Sequence, residues 1–386
     1  MKRLAIITTH PIQYNAPLFQ LLHQRGNVSI QVFYTWGQSQ NAVYDERFGA
    51  ERSWDIPLLQ GYPHEFVSNT SSKPDSNRFW GIINPGFKKQ LKAQNFDAVF
   101  IYRWSVWSHL QLLIADWGKT KLWFRGDSHL KATGSNFLKT IFKKLLLKFV
   151  YRNVDSVFYA GIMNQNYFRY YGIPDSKLVF MPHAVDNNRF IDVTKGYQQK
   201  AADERRDLGI TDDAIVFLYA GKFYDVKNLF LLIRAFQKLK GDQYRLLLYG
   251  SGVQEQQLRE MAAGDDRIIF RSFQNQSAMP WVYRVGDVYV LPSKSETWGL
   301  GVNEAMACGL PAIVSSDCGC VPELIINHQT GFHFQNNNEA DLLQRLQYFT
   351  TRAIAKQMGE QSQQYIQQFS LEQQAQVIEK RLLSST

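Results

Sequence analysis

The 386-residue sequence predicts an α/β protein with two doubly wound, Rossmann-like parallel-sheet domains. Short β-branched or aromatic runs alternate with segments of helical length along the whole chain, which is typical of βαβ units. Runs such as 215–219 are apolar without interruption, as expected of strands buried on both faces of a parallel sheet. A polar stretch at 184–212 interrupts the alternation and therefore predicts a domain junction.

The elements follow from this alternation in chain order. In the first half, strands are predicted over 4–8, 29–34, 98–102, 121–124, 156–159 and 178–181, with helices over 16–24, 87–94 and 105–117. In the second half, strands are predicted over 214–220, 244–249, 267–270, 288–291 and 312–314. We expect domains at 1–190 and 191–369 that face a cleft, each binding ligand beyond the carboxyl ends of its strands. A capping box at Ser370 starts a helix over 370–386, which we expect to pack back on the first domain.

Composition limits the classes of partner. With 45% hydrophobic and 20% charged residues, the chain is typical of globular proteins and not of disordered ones. Residues 1–190 contain 23 Lys and Arg against 12 Asp and Glu, whereas residues 191–386 contain 20 against 22. No stacking platform or reading helix accompanies this basic excess, so it favours an anionic membrane surface or a phosphorylated substrate over nucleic acid.

The cysteines and the apolar segments predict the compartment. Cys308, Cys318 and Cys320 form no disulfide framework, which indicates a reducing environment, and their spacing lacks the further ligands of a zinc site. No stretch of 18 uncharged apolar residues occurs, and the apolar run at 4–7 is too short for a signal peptide. We therefore expect a cytoplasmic protein without a bound metal or other cofactor.

The most informative segment follows the predicted strand 288–291 and opens a helix. It contains Glu296, Trp298, Gly299, Leu300, Gly301 and Glu304. The two glycines let the backbone approach a ligand closely, and the N–H groups at a helix start favour an anion. Because Glu296 lies in the loop and Glu304 about one turn into the helix, the two carboxylates would contact different parts of one long ligand.

A second segment follows the first strand of the second domain. It contains Gly221, Lys222 and Lys227, and lysines five residues apart at a strand-to-helix turn would place two ammonium groups on a diphosphate. The alternative is that both lysines are ordinary solvated side chains. No Asp-x-Asp sequence occurs, so cationic side chains and helix dipoles are left to stabilise the leaving group, and the predicted chemistry requires no metal.

With these two segments, the chain resembles the family 4 glycosyltransferases of the GT-B fold, which have a Glu-x7-Glu motif where Glu296 and Glu304 stand. Residues 221–228 are similar to the Gly-Arg-x4-Lys-Gly stretch of that family, with Lys222 in place of Arg and Asn228 in place of Gly. The resemblance is dense over about 155–335 and implies transfer with retention. It also implies that Glu304 binds ribose hydroxyls, that Glu296 contacts the donor sugar, and that N–H groups from Trp298 to Gly301 hold sugar and phosphate.

Two loops of the first domain follow strands and contain candidate catalytic residues. His10 lies in the loop 8–14, where relatives have a glycine-rich turn, and Asp127 lies in the loop 125–129, near a catalytic or acceptor-orienting residue of several relatives. A carboxylate at Asp127 would take or orient the proton of the acceptor hydroxyl. The structural alternatives are a histidine bonded to backbone at a strand end and an aspartate that caps the next helix.

The segment 137–152 predicts an amphipathic helix. Its cations Lys139, Lys143, Lys144, Lys148 and Arg152 recur at helical spacing opposite Leu138, Ile141, Phe142, Leu145 and Phe149. Either the apolar side packs on the sheet, or the helix rests on an anionic bilayer.

These observations together predict a retaining, metal-independent glycosyltransferase. It would move a sugar from a nucleoside-diphosphate sugar to the hydroxyl of a glycan or glycolipid acceptor, in cell-envelope or exported polysaccharide assembly at the inner face of the plasma membrane. The alternatives are a sugar-nucleotide epimerase or phosphorylase of the same fold, and a non-catalytic protein that binds sugar nucleotides.

Overall fold

The computed structural model describes every residue except 41–42, 46–49, 53, 133–136 and 385–386; at 40, 43–45, 50–52, 132 and 137–142 it describes the backbone alone. The strands are β1 Arg3–Thr8, β2 Ser29–Tyr34, β3 Val43–Asp45, β4 Ala50–Arg52, β5 His64–Phe66, β6 Ala98–Tyr102, β7 Lys121–Arg125, β8 Ser156–Tyr159, β9 Leu178–Phe180, β10 Ile215–Lys222, β11 Tyr244–Ser251, β12 Ile268–Arg271, β13 Val288–Leu291, β14 Ala312–Ser315 and β15 Gly331–Phe334.

Helices connect most of these strands. They are α1 Ala16–Arg25, α2 Phe87–Ala93, α3 Trp107–Leu113, α4 Phe137–Val150, α5 Ile162–Tyr170, α6 Asn187–Ile191, α7 Tyr197–Asp207, α8 Leu229–Gln237, α9 Glu255–Ala262, α10 Met279–Val285, α11 Leu300–Ala307, α12 Val321–Leu324, α13 Glu339–Gln347, α14 Arg352–Ile366 and α15 Leu371–Leu383.

The chain divides into two compact units. The first comprises residues 1–43, 56–183 and 371–386, and the second comprises 44–55 and 184–370. The boundary thus lies after His183 and not at the predicted residue 190. Asp55, which belongs to the second unit, accepts a hydrogen bond of 3.0 Å from the backbone N–H of Ser277.

The first unit is built on a seven-stranded parallel sheet in the order β5-β2-β1-β6-β7-β8-β9. The order reverses between β1 and β6, so the carboxyl ends of these strands form the switch point where open α/β sheets bind ligands. Leu4 and Ile7 on β1 are fully buried, which explains the uninterrupted apolar run of this strand.

The second unit has a six-stranded parallel sheet in the order β12-β11-β10-β13-β14-β15. Its switch point lies between β10 and β13, where Phe217 is paired with Val288. The predicted pair of parallel-sheet α/β domains is therefore confirmed. The strands at one edge of each sheet, β5 and β15, were not predicted.

The C-terminal helix α15 groups with the first unit. Glu379 accepts two hydrogen bonds of 2.8 Å from the guanidinium of Arg25 on α1, and these bonds hold the pKa of its carboxyl below the ordinary value. Gln374 is 4% exposed and its amide donates to the carbonyl of Pro182. The glutamine-rich tail is thus a packed amphipathic helix in this part.

Helix α4 buries a face other than the one that contains Leu145 and Phe149. Leu147 and Val150 are fully buried, whereas Leu145 and Phe149 are 65% and 59% exposed, so the first of the two alternatives for this helix, packing on the sheet, does not hold for the latter pair. The ammonium of Lys144 lies 4.3 Å from the ring centroid of Tyr170 on α5. The side chains of Leu138, Lys139, Ile141 and Phe142 lie outside the described residues. Over the described part of the chain, every helix is too short or too polar to cross a bilayer.

Candidate functional site

In the second unit, the switch point brings two predicted residues into contact. Lys227 follows β10, Glu296 follows β13, and the ammonium of Lys227 donates to Oε1 of Glu296. The hydroxyl of Ser293 donates to the same oxygen over 2.8 Å. The lysine and glutamate side chains are only 17% and 18% exposed, so the ion pair is largely removed from water.

The backbone holds these two loops together. The N–H of Lys294 donates to the carbonyl of Val226 over 2.8 Å, and the N–H of Gly319 donates to the carbonyl of Glu296 over 3.0 Å. Burial opposes a charge on Lys227, but the neighbouring carboxylate of Glu296 outweighs burial and raises the pKa of the ammonium above its ordinary value. Lys227 is therefore a cation at neutral pH, and an incoming diphosphate would compete with Glu296 for it.

The residue after Lys227 explains one departure from the family pattern. Asn228 has a φ of +55°, in the left-handed region where glycine and asparagine are tolerated best. Its side chain donates to Oδ1 of Asn337 over 3.0 Å, and its backbone precedes α8. Asparagine therefore suits the left-handed backbone conformation at this position. Lys222 is the last residue of β10, and its carbonyl accepts from the hydroxyl of Tyr219 over 2.9 Å.

The start of α11 requires glycine. Gly299 has a φ of +106°, and a Cβ there would lie 2.8 Å from Cδ2 of Leu291. At Gly301 a Cβ would lie 2.5 Å from the hydroxyl of Tyr289. The N-cap residue of α11 is Gly299, which has no side chain that could cap the N–H groups of the first turn. Trp298 is only 3% exposed, and its indole N–H donates to Asn303, so this residue can offer a ligand its backbone but not its ring.

Glu304 lies deeper than Glu296. Its side chain is 3% exposed, and Oε2 accepts a hydrogen bond of 2.7 Å from the hydroxyl of Tyr283 on α10. Tyr283 was not predicted as a site residue, because nothing distinguishes it from the apolar residues around it in α10. The two motif glutamates therefore have different surroundings, an ammonium for Glu296 and a phenol for Glu304.

The first unit contains a cavity of about 460 Å³ at its own switch point, beyond the carboxyl ends of β1, β6 and β7. His10 and Asp127, the two predicted catalytic residues of this unit, both line it. Nδ1 of His10 lies 2.9 Å from the hydroxyl of Thr9, and burial together with the charge of Arg103 lowers the pKa of His10 to about 4. At neutral pH His10 is therefore uncharged.

Arg125 and His183 also line this cavity and form a pair that the sequence reasoning did not identify. Arg125 is 6% exposed and donates to the carbonyl of Met181 over 3.0 Å and to Nδ1 of His183 over 3.3 Å. Since a guanidinium only donates, Nδ1 must be an acceptor, and the neutral imidazole carries its proton on Nε2. Burial and the charge of Arg125 lower the pKa of His183 to about 3. The sequence did offer one signal for this pair: Arg125 is a charged residue at the end of the apolar strand β7.

Arg103, on the loop after β6, adopts an unusual backbone conformation at the rim of the same cavity. Its φ of +67° is in the left-handed region, which costs about 1 kcal/mol for a side chain of this size. Nδ1 of the buried His109 lies 3.0 and 2.9 Å from the carbonyls of Tyr102 and Arg103, so it must donate to them, and Nε2 accepts from Thr35 over 2.8 Å. Burial lowers the pKa of His109 to about 4, which keeps this tautomer neutral.

The second unit contains the part of the chain that matches a known family. Residues 200–365 match the family described as Glycosyl transferases group 1. This range includes Lys222, Lys227, Glu296 and Glu304, and excludes the cavity of the first unit.

A curated relative supports the same assignment. The D-inositol 3-phosphate glycosyltransferase of Mycobacteroides abscessus is 33% identical to the chain over 138 residues, which are 34% of this chain and 30% of that protein. The curated relatives that the chain matches are aligned over less than half of their own length, between 30% and 48%.

Solved structures extend the similarity to the whole chain. Sucrose-phosphate synthase of Thermosynechococcus elongatus has a TM-score of 0.74 at 20% identity and is covered completely, as is this chain. HepE of Anabaena in complex with UDP and glucose has a TM-score of 0.71 at 17% identity, again with complete coverage of both chains. At these identities the likeness shows the fold alone: the chain has the fold of the GT-B glycosyltransferases.

Proposed function

We propose that the protein is a glycosyltransferase that moves a sugar from a nucleoside-diphosphate sugar to an acceptor hydroxyl. The observation that carries this proposal is the contact between Lys227 and Glu296 at the switch point of the second sheet, within the range that matches the glycosyltransferase family. An ammonium in this position would receive a diphosphate, and the carboxylate beside it would receive sugar hydroxyls.

In the proposed arrangement, the nucleotide sugar binds to the second unit. Lys222, Lys227 and the N–H groups from Trp298 to Gly301 hold the diphosphate, and Glu304 accepts hydrogen bonds from ribose hydroxyls. Glu296 binds the donor sugar once the diphosphate has drawn Lys227 away from it. HepE is described in complex with UDP and glucose, so UDP is the first nucleotide to test.

We further propose retention and independence of metal. The bond between C1 and the diphosphate oxygen breaks, a bond from C1 to the acceptor oxygen forms on the same face, and the acceptor proton passes to the leaving phosphate. Lysines can neutralise the charge that develops on the diphosphate, so no metal is needed for that role. Asp127 and His10, at the cavity of the first unit, would orient the acceptor hydroxyl.

The test measures nucleotide release from purified protein with UDP-sugars and a panel of glycan and glycolipid acceptors. We expect release of UDP only when an acceptor is present, equal rates in EDTA, and loss of activity in Lys227→Met. Lys238→Gln, an exposed lysine of the same unit that pairs with Glu339, is the matched control and should retain activity. Donor turnover without an acceptor would instead indicate an epimerase, and binding without any turnover would indicate a non-catalytic protein.

We also propose that the protein acts at the cytoplasmic leaflet, on acceptors of cell-envelope or exported polysaccharide assembly. The support is the exposed face of α4, where Leu145 and Phe149 stand one turn apart beside the exposed cations Lys144 and Lys148. Apolar side chains flanked by lysines suit the interface of an anionic membrane.

Sedimentation with anionic and with neutral vesicles tests this location. The wild type should bind anionic vesicles at low salt and be released at high salt. Changing Leu145 and Phe149 to Gln, or Lys144 and Lys148 to Gln, should each weaken binding. The control is a double variant with Lys88→Gln and Lys92→Gln on α2, which removes the same number of positive charges as the change of Lys144 and Lys148. Equal binding by all variants would contradict the proposal.

A further inference from the structure

The cavity of the first unit has an excess of positive charge. Among its lining residues, the guanidinium groups of Arg103 and Arg125 outnumber the single carboxylate, that of Asp127. His10 and His183 add no charge at neutral pH, because burial and the neighbouring arginines keep both rings neutral. A ligand that fills this cavity therefore enters a field of net positive sign.

The two arginines have defined contacts within the first unit: the backbone of Arg103 is fixed, and its exposed side chain donates from Nε to the hydroxyl of Ser105 over 2.6 Å. Arg125 is buried and tied to the chain at Met181 and His183. Arg103 keeps its left-handed backbone because its N–H donates to the carbonyl of Arg125 over 2.9 Å while its own carbonyl accepts from His109. A strained backbone at a large charged residue, held by a buried histidine, is typical of a position that serves a ligand.

The remaining lining fits a polyhydroxylated molecule. Asn15, Ser105 and Ser128 supply polar side chains, and Trp104 supplies an aromatic wall. The volume of about 460 Å³ lies within the range of small-molecule sites, about 300–1,000 Å³. Hydroxyls and an indole suit a sugar or polyol ring, whereas a guanidinium with its paired donors suits a phosphate or a carboxylate.

We infer that the acceptor carries an anionic group, a phosphate monoester or a carboxylate, on a sugar or polyol, and that Arg103 is the residue that selects it. This inference rests on the proposed function in taking the cavity as the acceptor site. Arg125 supports the anion through its positive charge.

The experiment measures binding by intrinsic tryptophan fluorescence, with the protein saturated with UDP so that the diphosphate site of the second unit is filled. The probes are glucose 6-phosphate, glucuronate and glucose, and inorganic phosphate is titrated separately. We expect the two anionic sugars to bind at least tenfold more tightly than glucose. A preference for glucose 6-phosphate identifies a phosphate acceptor, and a preference for glucuronate identifies a carboxylate acceptor.

Two variants of Arg103 separate ligand binding from folding. Arg103→Gln should weaken binding of the anionic probes at least tenfold and leave glucose unchanged. Arg103→Gly should lose the same affinity while raising the melting temperature, because glycine relieves the left-handed strain. Arg78→Gln is the matched control, an exposed arginine of the same unit that pairs with Asp75, and should bind all probes like the wild type.

The inference is overturned if the anionic sugars bind no better than glucose, or if the Arg103 and Arg78 variants behave alike. The affinity for UDP is measured on the same samples. Normal UDP binding with no anion preference rejects the acceptor class alone. If UDP does not bind but the anionic sugars still bind better than glucose in a way that depends on Arg103, the proposed donor is rejected. The first unit then still contains an anion site.

Discussion

Replacing Lys227 by Met tests whether the ion pair with Glu296 both stabilises the second unit and serves the diphosphate. Both side chains are about four-fifths buried, at 17% and 18% exposure, so the substitution leaves a largely buried carboxylate without the cation beside it, although the hydroxyl of Ser293 still donates to it. Loss of one partner from a fully buried pair costs about 3–5 kcal/mol, and the residual exposure here lowers our expectation to about 2–3 kcal/mol.

The same substitution removes a charged hydrogen bond to the diphosphate. Such a bond contributes about 1.5–3 kcal/mol, so the affinity for UDP should fall roughly 10- to 150-fold. Glu296→Gln should behave differently, because it frees Lys227 from its competitor. We expect its UDP affinity to stay the same or rise, while turnover with the full donor falls.

Urea unfolding monitored by tryptophan fluorescence gives the stability of the two single variants and the double variant, and UDP titration gives the affinities. The double-mutant cycle should yield a coupling energy of about 1–3 kcal/mol between Lys227 and Glu296. Zero coupling would show that the pair does not form in solution. An equal loss of UDP affinity in both single variants would refute the competition between Glu296 and the diphosphate.

Three further predictions concern other parts of the chain. Glu304→Ala should weaken UDP binding by about 1–3 kcal/mol in a titration, the cost of hydrogen bonds to a charged partner, and a change below twofold would contradict its assignment to the ribose. Burial lowers the pKa of His109 to about 4, so the unfolded chain takes up this proton at a higher pH than the folded protein, and the free energy of unfolding should fall by about 1.5 kcal/mol between pH 6.5 and 5 from this histidine. Urea titrations at pH 6.5 and at pH 5 should show this decrease in the free energy of unfolding, and the decrease should be smaller in His109→Gln than in the wild type. Arg205→Met should destabilise the second unit by about 3 kcal/mol in urea, because it leaves the carboxylate of Asp287, 10% exposed, without the more buried of its two arginines.

Much of the fold follows from local pattern. The strands β2, β6, β8 and β13 have the predicted bounds, because an apolar run that is buried on both faces is visible without knowing its neighbours. The positions of Lys227, Glu296 and Glu304 at the ends of strands and the start of a helix were also readable, since loop and helix boundaries are local properties. Their predicted roles toward a ligand remain predictions.

What the sequence by itself determined is which segments form parallel strands and which polar residues follow them. The tertiary structure decided which of these residues meet. Lys227 and Glu296 are 69 residues apart, and they touch because β10 and β13 become neighbours in the sheet order. The exposure of Leu145 and Phe149 was equally beyond the sequence, because an amphipathic period marks a face without saying what that face contacts. Arg103 has a left-handed backbone, and its carbonyl accepts a hydrogen bond from His109 of α3; this contact depends on how α3 packs and is not readable from a local preference for φ.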